Sequence, residues 1–331
     1  MSTPAPSILI LGVTGYVGGA VLVNAIKAFP TSQISVLVRH DKHDAAIKAT
    51  GVASVLHGDT DNVEALHDIF SKFDVVINVA PDDNALVDAI IVGLKTHKER
   101  TGKRAVYVHT TGGLVVADAA QGAWDPNFKY ISDLDTAALQ AVPPTAFHRS
   151  TELKVLEADA AKDIYGYLVC PGWVWGISPG PVRKDSINML QTFASVFGKG
   201  LYIGQGTNLF AMVHVEDVAE LVVLILRRAL SGVDAEVSSY KKYYFAATRE
   251  EQQKDIAVAV VKGMVQLGKL DTDELKSVSV EEVSKLQQFA FILGVNAVFH
   301  AKRGKAIGWN PSRLGSSLEN IADQLRPIVD A

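Results

Sequence analysis

Three glycines, Gly12, Gly15 and Gly18 in "ILILGVTGYVGGAVL", carry the clearest chemistry in the chain. The G-x-x-G-x-x-G pattern stands between a continuous apolar run and a stretch with helical apolar spacing, so it opens a helix directly after a strand. In that setting Gly12 permits a tight turn and Gly15 lets the backbone approach a pyrophosphate. Gly18 allows close helix–sheet packing, and the helix N-terminus faces the anion. Thr14, Tyr16 and Val17 belong to the same expected dinucleotide cradle; the alternative is a glycine-rich turn with no ligand. The next apolar run ends in "VLVRHDKHD". Arg39 stands there, where a carboxylate would bind the adenosine ribose hydroxyls of NAD(H). Its charge and bidentate geometry suit a 2′-phosphate, so NADP(H) is expected in preference to NAD(H), with Asp41 just beyond as the contrary sign. "GDTDN" offers Asp59, with Thr60 beside it, for the adenine edge, and "NVAP" sets Val79, Ala80 and Pro81 beside the dinucleotide.

The elements that must position these residues read as an alternation. "SILILG" (7–12), "QISVLVR" (33–39), "ASVLHGD" (53–59), "DVVINVA" (74–80), "RAVYVHT" (104–110) and "YGYLVCPG" (165–172) are strand-like. Most are continuously apolar, as strands covered on both faces must be. Amphipathic helical stretches separate them, which predicts an α/β, Rossmann-type doubly wound parallel sheet. The rhythm then changes. Residues 173–210 look irregular, a helix is expected at about 216–230 and a strand at 241–247, and helices at 249–267, 272–288 and 288–303. The expected organisation is a dinucleotide domain over 1–175, to which 211–247 return, and a smaller, mainly helical cap from 176–210 and 248–331.

Composition narrows the function classes. The formal net charge of −4 leaves no basic excess for a nucleic-acid surface, and "KTHKERTGKR" (95–104) reads as a solvated helix end. The single cysteine, Cys170, excludes an intramolecular disulfide and a cysteine-built metal site, and fits a reducing, cytoplasmic compartment. No metal site is expected from the histidine spacing. The apolar run "LVVLILRRAL" breaks at two arginines, so no membrane span is expected. A small-molecule substrate is the expected partner, with a homodimer as the expected assembly if the chain self-associates. "GISPG" (176–180) matches the G-x-S-x-G nucleophile pattern, but Pro179 has no N–H for an oxyanion hole, so a serine hydrolase is rejected.

Over nearly its whole length the chain resembles the short-chain dehydrogenase/reductase superfamily, in its extended and atypical branches, which include sugar-nucleotide epimerase-like and NmrA-like proteins. The resemblance rests on "GVTGYVGG", "GDTDN", "HTTGG" (109–113), "CPGWVWG" (170–176), "IGQGTNLFAMVHVEDVAEL" and "AIGWNP" (306–311). It implies that Thr111, or Thr110, holds the substrate oxygen, and that Pro171, Gly172 and Trp173 lie beside the nicotinamide. Trp175 alternates with Trp173, so at most one of the pair is expected to line the substrate pocket.

The family's chemistry uses a Tyr-x-x-x-Lys pair on the helix after the Ser/Thr. Here "FHRSTELKVLEA" (147–158) lays His148 over the tyrosine and Glu152 over the lysine. Two readings stay open. His148 and Glu152, at i and i+4, could share a helix face, the carboxylate favouring an imidazolium that donates a proton near neutral pH. Alternatively the slot is catalytically dead. Arg149 could touch an anionic substrate or make a surface salt bridge. The expected function is an NADP(H)-dependent reductase of a small organic carbonyl or conjugated alkene, possible in secondary metabolism. The alternatives are a non-catalytic NADP(H) sensor, and a sugar-nucleotide epimerase, dehydratase or redox-neutral enzyme.

Overall fold

The computed structural model describes residues 5–59, 62–184, 188–316 and 318–329. Seven parallel strands form the central sheet. In spatial order they are Tyr243–Ala246, Tyr165–Pro171, Val106–Thr110, Val75–Asn78, Ser7–Leu11, Gln33–Val38 and Ser54–His57. The chain winds outward from Ser7–Leu11 in both directions, leaving a crevice between Leu11 and Asn78 at the carboxyl ends of the strands, where sheets of this kind bind ligands.

The continuously apolar runs fold as strands because both sheet faces are covered. Ile8 and Ile10 point into one core layer, with the helices Tyr16–Ala28 and Val215–Leu230. Leu9 and Leu11 point into the other, with Asn84–Thr101 and Arg149–Ala160. Ile8, Leu9 and Ile10 are all fully buried, and each such side chain contributes roughly 1.5–3 kcal/mol on leaving water.

The strand Tyr243–Ala246 closes one edge of this sheet, pairing with Leu168–Pro171. A third core surrounds Trp175, Phe193, Ile203, Phe210, Val260 and Leu293. It is more mixed in structure than its helical periodicity suggests. The expected helix at 249–267 starts as a strand, Arg249–Gln252, antiparallel to Leu209–Met212, and becomes helical only at Gln253–Gln266. Within 272–288, Leu275–Val278 pairs as a strand with Gly200–Ile203. A Ser279/Glu282 capping box then starts the short helix Val280–Ser284. Over 288–303, a 3₁₀ segment Gln288–Gly294 gives way to the short strand Phe299–His300. Sheet partners distant in sequence override local helix propensity in each case. The 176–210 stretch in turn contains the helix Asn188–Phe197 and the strand Gly200–Ile203.

Segment 176–180 has a structural task. Ser178 Oγ donates to Tyr16 O at 2.8 Å, and Tyr16 Oη donates to Gly176 O at 2.8 Å, clamping it onto the start of the first helix. Among the described residues no helix is long and apolar enough to cross a membrane.

Candidate active site

The glycine turn meets its steric reasons at once. Gly12 has φ +81°, and a Cβ there would lie 2.5 Å from the Val79 backbone; a Cβ on Gly18 would lie 2.1 Å from Gly12 O. Gly15 is the extended N-cap residue of the helix Tyr16–Ala28, which has no side-chain cap and no acidic residue in its first turn. The helix therefore presents its positive end to the crevice without a protein anion in front of it.

A cavity of about 650 Å³ runs from this turn across the sheet, within the range of small-molecule sites. At one end lie Arg39 and Gly58; in the middle Thr14, Tyr16, Val17, Val79, Ala80 and Pro81; at the other end Thr110, Thr111, Gly112, His148, Pro171, Gly172 and Trp173. Arg39 is exposed and makes no hydrogen bond or ion pair with the described residues. Thr110 Oγ1 is buried and has no hydrogen-bond partner there. A turn a side chain would fill, an uncapped helix start, a free guanidinium and an orphaned hydroxyl are the features a nicotinamide dinucleotide needs. Asp59 is exposed and outside this lining; Thr60 lies outside the described residues.

The helix after the fifth strand departs from expectation. His148 and Glu152 do not face each other. His148 is the N-cap residue of Arg149–Ala160, in left-handed conformation at φ 67°. Its ring is thereby turned away from the helix face toward the crevice. Glu152 points inward and is fully buried. Its Oε1 accepts from Tyr243 Oη at 2.8 Å and from Thr111 Oγ1 at 3.1 Å, and its Oε2 accepts from Arg149 Nη1 at 3.1 Å. Arg149 is likewise buried and also donates to Leu139 O and Tyr240 Oη, so it reaches neither solvent nor the cavity. A charge this deep requires a partner, and each residue is the other's, so Arg149 is neither a substrate contact nor a surface salt bridge. Burial first, then the neighbouring Cys170 and Glu152, push the Tyr243 phenol well above its usual pKa, so it stays a donor. Thr111 spends its hydroxyl hydrogen on Glu152, whereas that of Thr110 is uncommitted. Trp175 is buried in the third core, edge-on to His214 at 4.7 Å between ring centroids; Trp173 is the tryptophan that lines the cavity. Lys154 pairs on the surface with Asp88 at 2.7 Å.

The charge partner of His148 is Asp82. His148 Nδ1 hydrogen-bonds Asp82 Oδ2. His109 Nε2 faces Asp82 Oδ1 at 3.1 Å. Asn78 Oδ1 accepts from Ala80 N at 3.0 Å, which turns its amide Nδ2 toward His109 Nδ1 at 3.3 Å. That donor assigns the His109 proton to Nε2, facing the carboxylate. Burial alone would raise the pKa of Asp82, but the two facing imidazoles, His109 and His148, outweigh it and hold the carboxyl well below its usual range. With Nδ1 on Asp82, His148 Nε2 is left over Gly112, where an added Cβ would lie 2.6 Å from it. An anion-backed imidazole with its second nitrogen at the cavity wall can hold and release a proton. One sequence signal does point to Asp82. In "PDDN" at the end of a strand, only one carboxylate can cap the following helix, and Asp83 does so, accepting from Leu86 N at 2.9 Å.

Residues 8–91 match the model of the saccharopine dehydrogenase NADP binding domain. The chain is 24% identical over 328 residues to the "oxidase ucsJ" of an Acremonium species, covering 92% of both proteins. Its fold is similar to that of the dTDP-glucose 4,6-dehydratase of Bacillus anthracis solved with NAD, at TM-score 0.65, 15% identity, and 98% and 97% coverage of the two chains. It is also similar to the UDP-glucuronic acid 4-epimerase of Bacillus cereus, solved with UDP-glucuronic acid and NAD, at TM-score 0.62, 12% identity, and 97% and 99% coverage. The strand order and the glycine turn are those of a Rossmann-type α/β fold, and the stretch that matches an NADP binding domain, residues 8–91, is its first quarter.

Proposed function

We propose that the chain is an NADP(H)-dependent oxidoreductase that reduces a small organic carbonyl or conjugated alkene, with His148 as proton donor. The observation that carries this reading is the Asp82–His148 pair, placed at the end of the cavity formed by Thr110, Gly172 and Trp173. The bound dinucleotide would supply hydride; the protein supplies position and a proton. Arg39 takes the 2′-phosphate, and the helix start at Gly15–Val17 takes the pyrophosphate. The Thr110 hydroxyl holds the substrate oxygen, and His148 Nε2 delivers the proton. Asp82 fixes the imidazole ring, while Thr151 donates to Asp82 and His109, oriented by Asn78, faces it. Trp173 and Leu114 shield the reacting end from water. The oxidase name of the Acremonium relative supports redox chemistry.

The test is NADPH oxidation by the purified chain against a panel of ketones, aldehydes and enones, run beside a calorimetric titration with NADPH. Turnover that falls in His148→Asn supports the reading. Tight NADPH binding with no oxidation across the panel would instead favour a cofactor sensor.

A further inference from the structure

We propose that the compartment beside His148 takes a neutral, largely apolar substrate with an aromatic or extended conjugated group, and not a sugar nucleotide. The proposal rests on the reductase reading of the adjoining cleft.

A second cavity, of about 410 Å³, adjoins the site. Leu114, on the turn after Thr110, lines both spaces. Phe147 lines the second cavity and packs edge-on to the His148 ring at 4.6 Å, so an occupant lies one ring away from the proton donor. The other apolar walls include Ala146, Val280, Phe291 and Val295. Phe147 and Phe291, at 6.0 Å and 66°, form an aromatic corner between the sheet domain and the later segment. Such a corner accepts a flat ring edge-on or offset.

The charges exclude the other class. No lysine, arginine or histidine lines this cavity among the described residues; its one ionisable wall group is Asp118. That carboxylate is fixed, Oδ1 accepting from Asn296 N at 2.7 Å and Ala120 N at 3.1 Å, and Oδ2 from Asn296 Nδ2 at 2.8 Å. In the cleft the basic lining residues are Arg39 and His148. Arg39 follows a strand three places from Val106–Thr110 in the sheet, about 14 Å away at the usual strand spacing. A substrate diphosphate here would lose water beside a carboxylate with no cation in reach, which is strongly unfavourable. A neutral conjugated molecule loses nothing comparable and gains the apolar walls.

The experiment is calorimetric titration of the full chain, saturated with NADP⁺ so that nothing turns over, with trans-chalcone, benzil, 1,4-naphthoquinone and dTDP-glucose. At least one neutral probe should bind saturably and at least about tenfold more tightly than dTDP-glucose. Phe291→Ser should weaken that probe by roughly tenfold, while Leu286→Ser, at an exposed position outside the cavity lining, should change it by less than about twofold. Thr145→Lys, at an exposed position on the cavity wall, should narrow the gap between the neutral probe and dTDP-glucose without unfolding the chain. Tighter binding of dTDP-glucose overturns the proposal, as do no saturable binding of any neutral probe and indifference to both wall substitutions. The reductase reading fails separately: a neutral probe that binds in this pattern while a broad panel never draws NADPH oxidation removes it and leaves the occupant's class standing.

Discussion

Asp82 holds two histidines at once: its Oδ2 hydrogen-bonds His148 Nδ1, and its Oδ1 faces His109 Nε2 at 3.1 Å. Asn78, which accepts from Ala80 N, orients His109, and Thr151 Oγ1 donates to Asp82 Oδ1 at 3.3 Å. The carboxylate that meets the His148 ring thus comes from the segment after the strand Val75–Asn78, not from the helix that His148 caps.

His148→Asn should lower turnover by roughly 10²–10⁴-fold, the usual contribution of a positioned proton donor. NADPH affinity should stay unchanged by calorimetry. Asparagine is the informative replacement because it tolerates the left-handed backbone at this position. Wild-type turnover in the variant would make His148 structural.

Asp82→Asn should reduce kcat by about 10²-fold, with NADPH affinity unchanged by calorimetry. Without the carboxylate the His148 ring loses the acceptor that fixes its Nδ1 and orients Nε2 toward the cavity. A kcat equal to that of the wild type would mean that Asp82 does not position the reacting ring.

Arg39 should set cofactor choice. Charge-assisted hydrogen bonds to a 2′-phosphate contribute about 1.5–3 kcal/mol, so Arg39→Asp should weaken NADPH by roughly ten- to a hundredfold. NADH should be affected little. Equal affinities for the two cofactors in the wild type would remove this assignment.

The buried Arg149–Glu152 pair should show its cost when halved. Arg149→Met leaves Glu152 without a cation, and urea unfolding should report a loss of about 3–5 kcal/mol. Adding Glu152→Leu should recover most of it, since the second charge no longer needs a partner. A single variant as stable as wild type would show that water or a rearranged donor replaces the guanidinium.

His214 should make stability fall with acid. Burial, aided by Arg313 and opposed by Asp217 and Glu216, lowers its pKa below the ordinary 6.5, and its Nδ1 accepts from Glu216 N at the start of Val215–Leu230. Below about pH 6.5 the unfolded chain takes up a proton that the folded chain refuses. Its contribution is therefore whole above that pH and declines as pH falls toward the folded value, by at most about 1.4 kcal/mol per pH unit. His214→Asn keeps a capping acceptor without the titration, so its unfolding free energy should vary less between pH 7 and 5 than that of the wild type.

What the amino-acid order determined by itself is local. The turn at Gly12, the helix opening at Gly15 and the doubly covered strands follow from residues a few positions apart, whose sterics and apolar periodicity need no distant partner. So does the placement of Arg39 just after a strand. Tertiary structure alone decided which charges meet. The i and i+4 spacing of His148 and Glu152 implied a shared face, yet a left-handed backbone at His148 turns its ring outward while the buried Arg149 holds Glu152 inward. The actual partner, Asp82, lies 66 residues earlier in the chain. The cap diverged for the same reason: Leu275–Val278 has no reason to be a strand until Gly200–Ile203 lies alongside it. Long-range pairing outweighs local propensity because a buried charge or an unpaired backbone group costs more than a few tenths of a kcal/mol of helix preference.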